Sequence, residues 1–302
     1  TGNYSFWYES SQLALKQRAQ QNKKAEEKKK ELENFIARFS ANVAKSKQAT
    51  SRKKMIEKLN IEEIKPSSRR YPGIIFEMGR ESGDQILNVN NLIFNEINKP
   101  LDFTLNKGNK VILYSKDSKI TSKFYEIING SDTNFKGSFN WGSTISQSYL
   151  PLNNDIYFNK NINLIEWLRQ WSNNDEEREE VFIRSFLGKM IFSGEEALKS
   201  CNVLSGGEKV RCILSKMMME KSNFLMLDEP TNHLDLETIQ TLNNSLIKFK
   251  GNLILTTHDF EFANSVGNRI IEIGKNGFID KLMSFEDYLA DTKMKLLRDG
   301  IY

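Results

Sequence analysis

The sequence predicts a basic helical hairpin followed by an α/β domain, and three observations carry that prediction. Residues 12–38 contain neither Gly nor Pro and are rich in Ala, Lys, Glu, Gln and Leu, which lose little on entering a helix. Short apolar runs at 224–227 and 253–255 stop abruptly at polar residues, the mark of strands buried on both faces. Between the two patterns, Pro66, Ser67, Ser68, Pro72 and Gly73 break the helical period and mark a linker.

Composition bounds the rest. A chain of 302 residues, 39% hydrophobic and 27% charged, can bury one large core and carry an appendage, which excludes a disordered protein. No apolar run approaches the ~20 residues needed to cross a bilayer. Residues 1–10 lack the basic start and apolar stretch of a signal peptide, and a first residue other than Met reads as a shortened chain. A cytoplasmic protein with no membrane partner is expected. Cys201 and Cys212 have no further Cys or clustered His beside them, so reduced thiols are expected, not a zinc site or a disulfide.

The hairpin is read over 11–65. Leu32, Phe35, Ile36, Phe39 and Val43 fall at helical spacing, and Met55, Ile56 and Leu59 form a second stripe after the polar stretch 40–51. At ~1.5 Å per residue the first helix would reach roughly 40 Å, an arm more than part of a globule. Residues 1–70 hold 17 Lys and Arg against 8 Asp and Glu, a net of +9 in a chain of +4 overall. Over 23–33 Lys and Glu recur at intervals of three and four, as on a solvated face. From Arg38 to Lys54 there is no acidic residue, so Arg38, Lys45, Lys47, Arg52, Lys53 and Lys54 are expected to bind phosphate. With little base-reading chemistry around them, they suit the backbone and shape of structured RNA. A connector is read over 66–80, the main domain over 81–290 and a tail over 291–302.

The domain carries its chemistry in three places. The run LSGGEKVR at 204–211 opens a helix with a capping box, Ser205 and Glu208. Gly206 and Gly207 in its first turn each cost ~1 kcal/mol against Ala, so something must approach the backbone closely there. Exposed amides at such a turn bind phosphate. Next, FLMLDEPTNHLD at 224–235 is a strand ending in Asp228 and Glu229, where a magnesium ligand and a water-orienting base belong. The following strand, 252–257, ends at His258 and Asp259. His233 and His258 are the chain's two histidines, and both lie just beyond such strands.

These motifs, in this order, resemble those of the ABC ATPases. Residues 204–208 look like the ABC signature, 224–229 like Walker B with its catalytic Glu, 234–235 like the D-loop and His258 like the switch histidine. The resemblance implies an ABC-type P-loop NTPase fold, an α/β core with antiparallel β and helical subdomains, working with ATP and Mg2+. It implies Glu229 and His258 as catalytic residues, Ser205, Gly206, Gly207, Glu208 and Asp235 as nucleotide contacts, and Asp228 and Ser122 as magnesium ligands. The variant EPTNHLD at 229–235, with the charged linker before it, is similar to the ABC-F subgroup and most of all to its YbiT-like branch. Members carry two ATPase domains on one chain and act on ribosomes. Residues 1–10 then read as the end of a first ATPase domain absent from this chain, and the implied partners are that domain and the rRNA and tRNA of the ribosome.

One departure stands out. Where the family has a glycine-rich phosphate loop with Lys, this chain has SKDSKITSK at 115–123. Ser115, Ser118 and Ile120 stand at the glycine positions and Thr121 at that of Lys, while Ser122 retains a hydroxyl for magnesium. Lys116, Lys119 or Lys123 could supply the missing charge. The glutamine expected in the next loop is either Gln147 or replaced by Leu152, and Phe94 either stacks on adenine or packs in the core. One competent composite site and one weak one are therefore expected in the full protein, with little or no hydrolysis by this chain alone. A catalytically weak RNA-binding scaffold and a DNA-repair ATPase of the coiled-coil type are the alternatives.

Overall fold

The computed structural model describes residues 71–302 throughout and, before them, Gln20, Lys23, Lys24 and 27–33. Those early residues are helical, as their composition predicts. The remainder of the predicted hairpin, including the basic residues from Arg38 to Lys54, lies outside the described residues. The chain divides into two compact units, 1–69 and 70–302. The second is built on two sheets.

Strands β1 (Gln85–Ile93), β2 (Leu101–Asn106) and β4 (Lys136–Trp141) form an antiparallel sheet in the order β2-β1-β4. The larger sheet has the order β5-β6-β7-β3-β8-β9. Its strands are β3 (Lys110–Tyr114), β5 (Gln147–Leu150), β6 (Phe224–Asp228), β7 (Asn252–Thr256), β8 (Arg269–Gly274) and β9 (Gly277–Lys281). All run parallel except β9, which pairs antiparallel with β8. Both faces are covered. Val111, Leu113, Phe224, Met226, Ile254 and Ile271 pack toward the small sheet, whereas Ile112, Leu225, Leu227, Leu253, Leu255 and Ile270 join a second core. This two-sided burial is why β6 and β7 read as continuous apolar runs.

The helices are α1 (Ser118–Ile128), α2 (Leu164–Arg169), α3 (Asp175–Arg178), α4 (Glu180–Lys189), α5 (Gly206–Glu220), α6 (Leu236–Lys248), α7 (Phe260–Val266), α8 (Phe285–Ala290) and α9 (Thr292–Ile301). Their starts are written in the sequence: Asn163, Ser205, Asp235, Asp259 and Ser284 each accept a backbone N–H at the first turn of the following helix. α1 follows β3 and buries Ile120, Phe124, Tyr125 and Ile127 between the sheets. α2 and α4 pack on each other and on α5 around Trp167, which stacks on Phe158 at 4.8 Å.

Two segments read from sequence as accessory belong to the core. Ile74 and Phe76 of the connector are buried, Phe76 edge-on to Phe249. Residues 291–302, read as a tail, form α9, with Met294 and Ile301 buried. The Ile301 carbonyl comes so close to Gly274 that a Cβ there would lie 2.3 Å from it. No helix among the described residues is long and apolar enough to cross a membrane.

Candidate nucleotide-binding site

The carboxylates at the end of β6 stand on a bend. Glu229 has a φ of +49°, in the left-handed region. Its amide is held by Thr256 of β7, whose carbonyl and hydroxyl accept at 3.2 and 3.0 Å. The same hydroxyl donates to Asp228 Oδ1 at 2.7 Å, and Ser122 of α1 donates to Asp228 Oδ2, also at 2.7 Å. Burial raises the Asp228 pKa above the ordinary carboxylate range, with the Thr256 and Ser122 hydroxyls pulling it down and Glu126 adding to the rise. Asp228 and Ser122 line a hollow of about 450 Å³ with Glu126, Tyr149, Leu152 and Tyr157.

Glu229 and His258 are brought together. The His258 amide donates to Glu229 Oε2 at 3.2 Å, and Nε2 lies 3.5 Å from Oε1. The Glu229 side chain is 11% exposed and that of His258 79%. Burial raises the Glu229 pKa while His258 opposes the rise. A sheltered carboxylate beside an exposed imidazole is suited to taking a proton from water.

The two oxygens of Ser122 and Asp228 suit a hard cation such as magnesium. The turn between β3 and α1, where the phosphate loop is expected, is filled by the chain's own contacts. Thr121, at the position of Lys, is 4% exposed, and its hydroxyl turns back to the Ser118 carbonyl at 2.9 Å. Ile120 is buried in the core. The Lys116 ammonium lies 4.1 Å above the Tyr302 ring, and Lys123 pairs with Asp132 and, at 3.6 Å, with Glu126. Two of the three lysines that could restore the missing charge are already engaged. Gln147 pairs in register with Phe224 at the start of β6, roughly four residues or ~13 Å from its carboxylate end. Leu152 lines the hollow beside Asp228 instead, and its backbone helps hold the Asp228 pKa down. Phe94 is 4% exposed within the core, and its edge borders a separate hollow of about 460 Å³ with Asn95, Ile97 and Lys136.

The third cluster forms a distinct face. Ser205, Gly206, Gly207, Glu208, His233 and Asp235 line a hollow of about 390 Å³. The capping box is complete: Ser205 Oγ accepts from the Glu208 amide at 3.4 Å, and Glu208 Oε2 accepts from the Ser205 amide at 2.9 Å. Burial pushes the Glu208 pKa up, but its bonds to Lys199 and Ser205 outweigh this and leave it lowered. The group that must come close to the glycines is in part this chain's own. A Cβ on Gly207 would lie 2.5 Å from the His233 carbonyl, and one on Gly206 3.2 Å from the His233 ring. His233 itself has a φ of +65°. Asp235 caps α6, accepting from the Thr238 amide at 2.7 Å.

Sequence reasoning missed Thr256, which holds the Asp228 carboxylate and the Glu229 backbone amide. A Thr closing a strand carries no signature of its own. It also missed Asp117, the N-cap of α1, although an Asp before a helical run is a readable start signal.

A family model described as ABC transporter matches residues 99–232, and a second of the same description matches residues 1–76. The chain is 51% identical over 98% of its length to the ABC transporter ATP-binding protein YkpA of Bacillus subtilis, covering 56% of that protein. It is 37% identical over 95% of its length to the ATP-binding protein YbiT of Escherichia coli, covering 55%. It is 28% identical over 99% of its length to the energy-dependent translational throttle protein EttA of Haemophilus influenzae, covering 54%. The chain thus spans about half the length of these relatives. Among solved structures, the ATP-binding cassette MJ0796 in a post-hydrolysis state with ADP and Pi aligns with a TM-score of 0.55 at 17% identity, over 67% of this chain and 99% of that one. Two sheets with a helical layer, a carboxylate pair at the end of β6 and a capped glycine turn opening α5 give residues 71–302 the α/β fold of the ABC-type P-loop NTPases.

Proposed function

We propose that this chain is the second half of a two-domain ABC-F-type protein that acts on the ribosome, where nucleotide-driven closure of the two ATPase domains moves the basic hairpin over RNA. The observation that carries this reading is the unequal condition of two half-sites within one domain. The face of Ser205 to Glu208 is fully formed and open, while the phosphate seat after β3 is crowded and lacks its lysine. Such a domain suits completing a nucleotide site on another domain's phosphate loop and contributes little turnover at its own. Ser205, Gly206, Gly207 and Glu208 would then meet the phosphates of ATP held by the first ATPase domain, with Asp235 beside them. Similarity to EttA, whose name places it in translation, supports the ribosome as partner. Arg38, Lys45, Lys47, Arg52, Lys53 and Lys54 supply the positive charge for rRNA or tRNA, and a cytoplasmic location follows from that partner.

ATP turnover by the complete two-domain protein tests the catalytic part. Ser205→Arg should abolish most turnover, whereas Glu229→Gln should change it little. The arm is tested by ribosome co-sedimentation at two salt concentrations. Charge reversal at Lys45, Lys47, Arg52, Lys53 and Lys54 should weaken binding and flatten its salt dependence; unchanged binding counts against the assignment. The engaged lysines around the phosphate seat favour a second reading, a scaffold for which nucleotide no longer matters. Absence of any turnover in the complete protein, with ribosome binding retained, would select it.

A further inference from the structure

The entry to α1 is more than a phosphate loop that has lost residues. Four of its N–H groups already have acceptors from the chain itself. Lys116 N–H donates to the Tyr302 hydroxyl at 2.9 Å, Asp117 N–H to Ser115 Oγ at 3.2 Å, Lys119 N–H to Asp117 Oδ1 at 3.0 Å and Ile120 N–H to the Asp117 carbonyl at 3.0 Å. A nucleotide phosphate seated at a helix N-terminus needs donors of this kind. Asp117 also sets a carboxylate at the positive end of the α1 dipole, where it is favourable for the helix and repels an arriving anion.

Tyr302 is firmly held. Its hydroxyl donates to Glu272 Oε1 at 2.8 Å, and its backbone carbonyl accepts from Asn276 Nδ2 at 3.2 Å. Glu272, on β8, is fully buried and accepts from Tyr288 and Arg298 as well, each at 2.7 Å. The ring carries the Lys116 ammonium on its face, which keeps that charge away from the seat.

Resting on the proposed reading that this seat holds no nucleotide, we infer that it is latched shut from within: Asp117 and Tyr302 occupy its amides, and Glu272 ties the latch to the central sheet. The domain then keeps one shape on this side whatever the state of any other nucleotide site. The loss of glycines and lysine and the arrival of internal acceptors are two separate obstacles to binding.

The test uses the 302-residue chain and titration with Mg-ATP. A repaired loop, Ser115→Gly, Ser118→Gly, Ile120→Gly and Thr121→Lys, should still bind weakly. Adding Asp117→Ala and Tyr302→Phe should tighten binding by roughly tenfold or more, as expected for donors set free. Equal affinity with and without the two added changes overturns the latch and leaves the weak-site reading standing. Tight binding by the unaltered chain overturns the weak-site reading itself. Because the repaired loop puts Gly at the buried Ile120, a second measurement uses Tyr302→Phe alone. Hydrogen exchange at the Lys116 amide should quicken roughly tenfold, with the amides of β6 unchanged; unchanged exchange at Lys116 removes Tyr302 from the latch.

Discussion

The Thr256 hydroxyl stands between the two carboxylate residues of β6, donating to Asp228 at 2.7 Å while accepting the Glu229 amide at 3.0 Å. One oxygen on β7 thereby fixes both the buried carboxylate and the left-handed bend after it. Thr256→Val keeps the shape and removes the oxygen. It should cost about 1–3 kcal/mol, read as a lower urea midpoint, whereas Thr256→Ser should lose much less.

Asp228 gives a pH-dependent outcome. Its folded-state pKa is raised, chiefly by burial. The charged form is therefore disfavoured in the fold, and the penalty is absent below the unfolded carboxylate value and complete above the folded one. Asp228→Asn should stabilise the domain at neutral pH by about 1 kcal/mol. That gain should fade as pH falls from the raised folded-state value toward the ordinary carboxylate value, in thermal melts taken across that interval.

Removing Glu272 should destabilise the domain instead. This residue is fully buried but has three donors, Tyr288, Arg298 and Tyr302. Glu272→Ala orphans all three and should cost about 3–5 kcal/mol in chemical denaturation. α9 should become protease-sensitive in the same variant.

Two glycines separate close approach from mere propensity. Gly207→Ala would drive a Cβ to 2.5 Å from the His233 carbonyl, so a loss of about 1–3 kcal/mol is expected in the unfolding transition. At Gly188, exposed within α4, an added methyl group would meet nothing within 4 Å. Gly188→Ala should raise the melting temperature, worth about 0.5–1 kcal/mol.

What could be read in advance was whatever local chemistry decides. The apolar runs of β6 and β7 lie between two cores, so nearly every position had to be apolar. The capping box at Ser205 closes within four residues and needs no distant partner. The grouping of Asp228 with Ser122 and of Glu229 with His258 was what the family resemblance implied, and the side chains meet in the fold. What escaped depends on distant neighbours. α9 is anchored by the match of Ile301 to Gly274, and the reason for Gly206 and Gly207 lies partly in His233, a residue on another loop. Phe94 could be assigned to core or ligand from sequence, and in the fold it is buried in the core beside an open hollow.

The contact between Gly207 and His233 joins two places that the chain visits far apart. No side-chain carbon fits on Gly207, so the mouth of α5 and the bend leading into α6 sit backbone against backbone. That bend begins just after Glu229. Ser205 and this bend line the same hollow, so whatever settles against one meets the other as part of a single continuous surface.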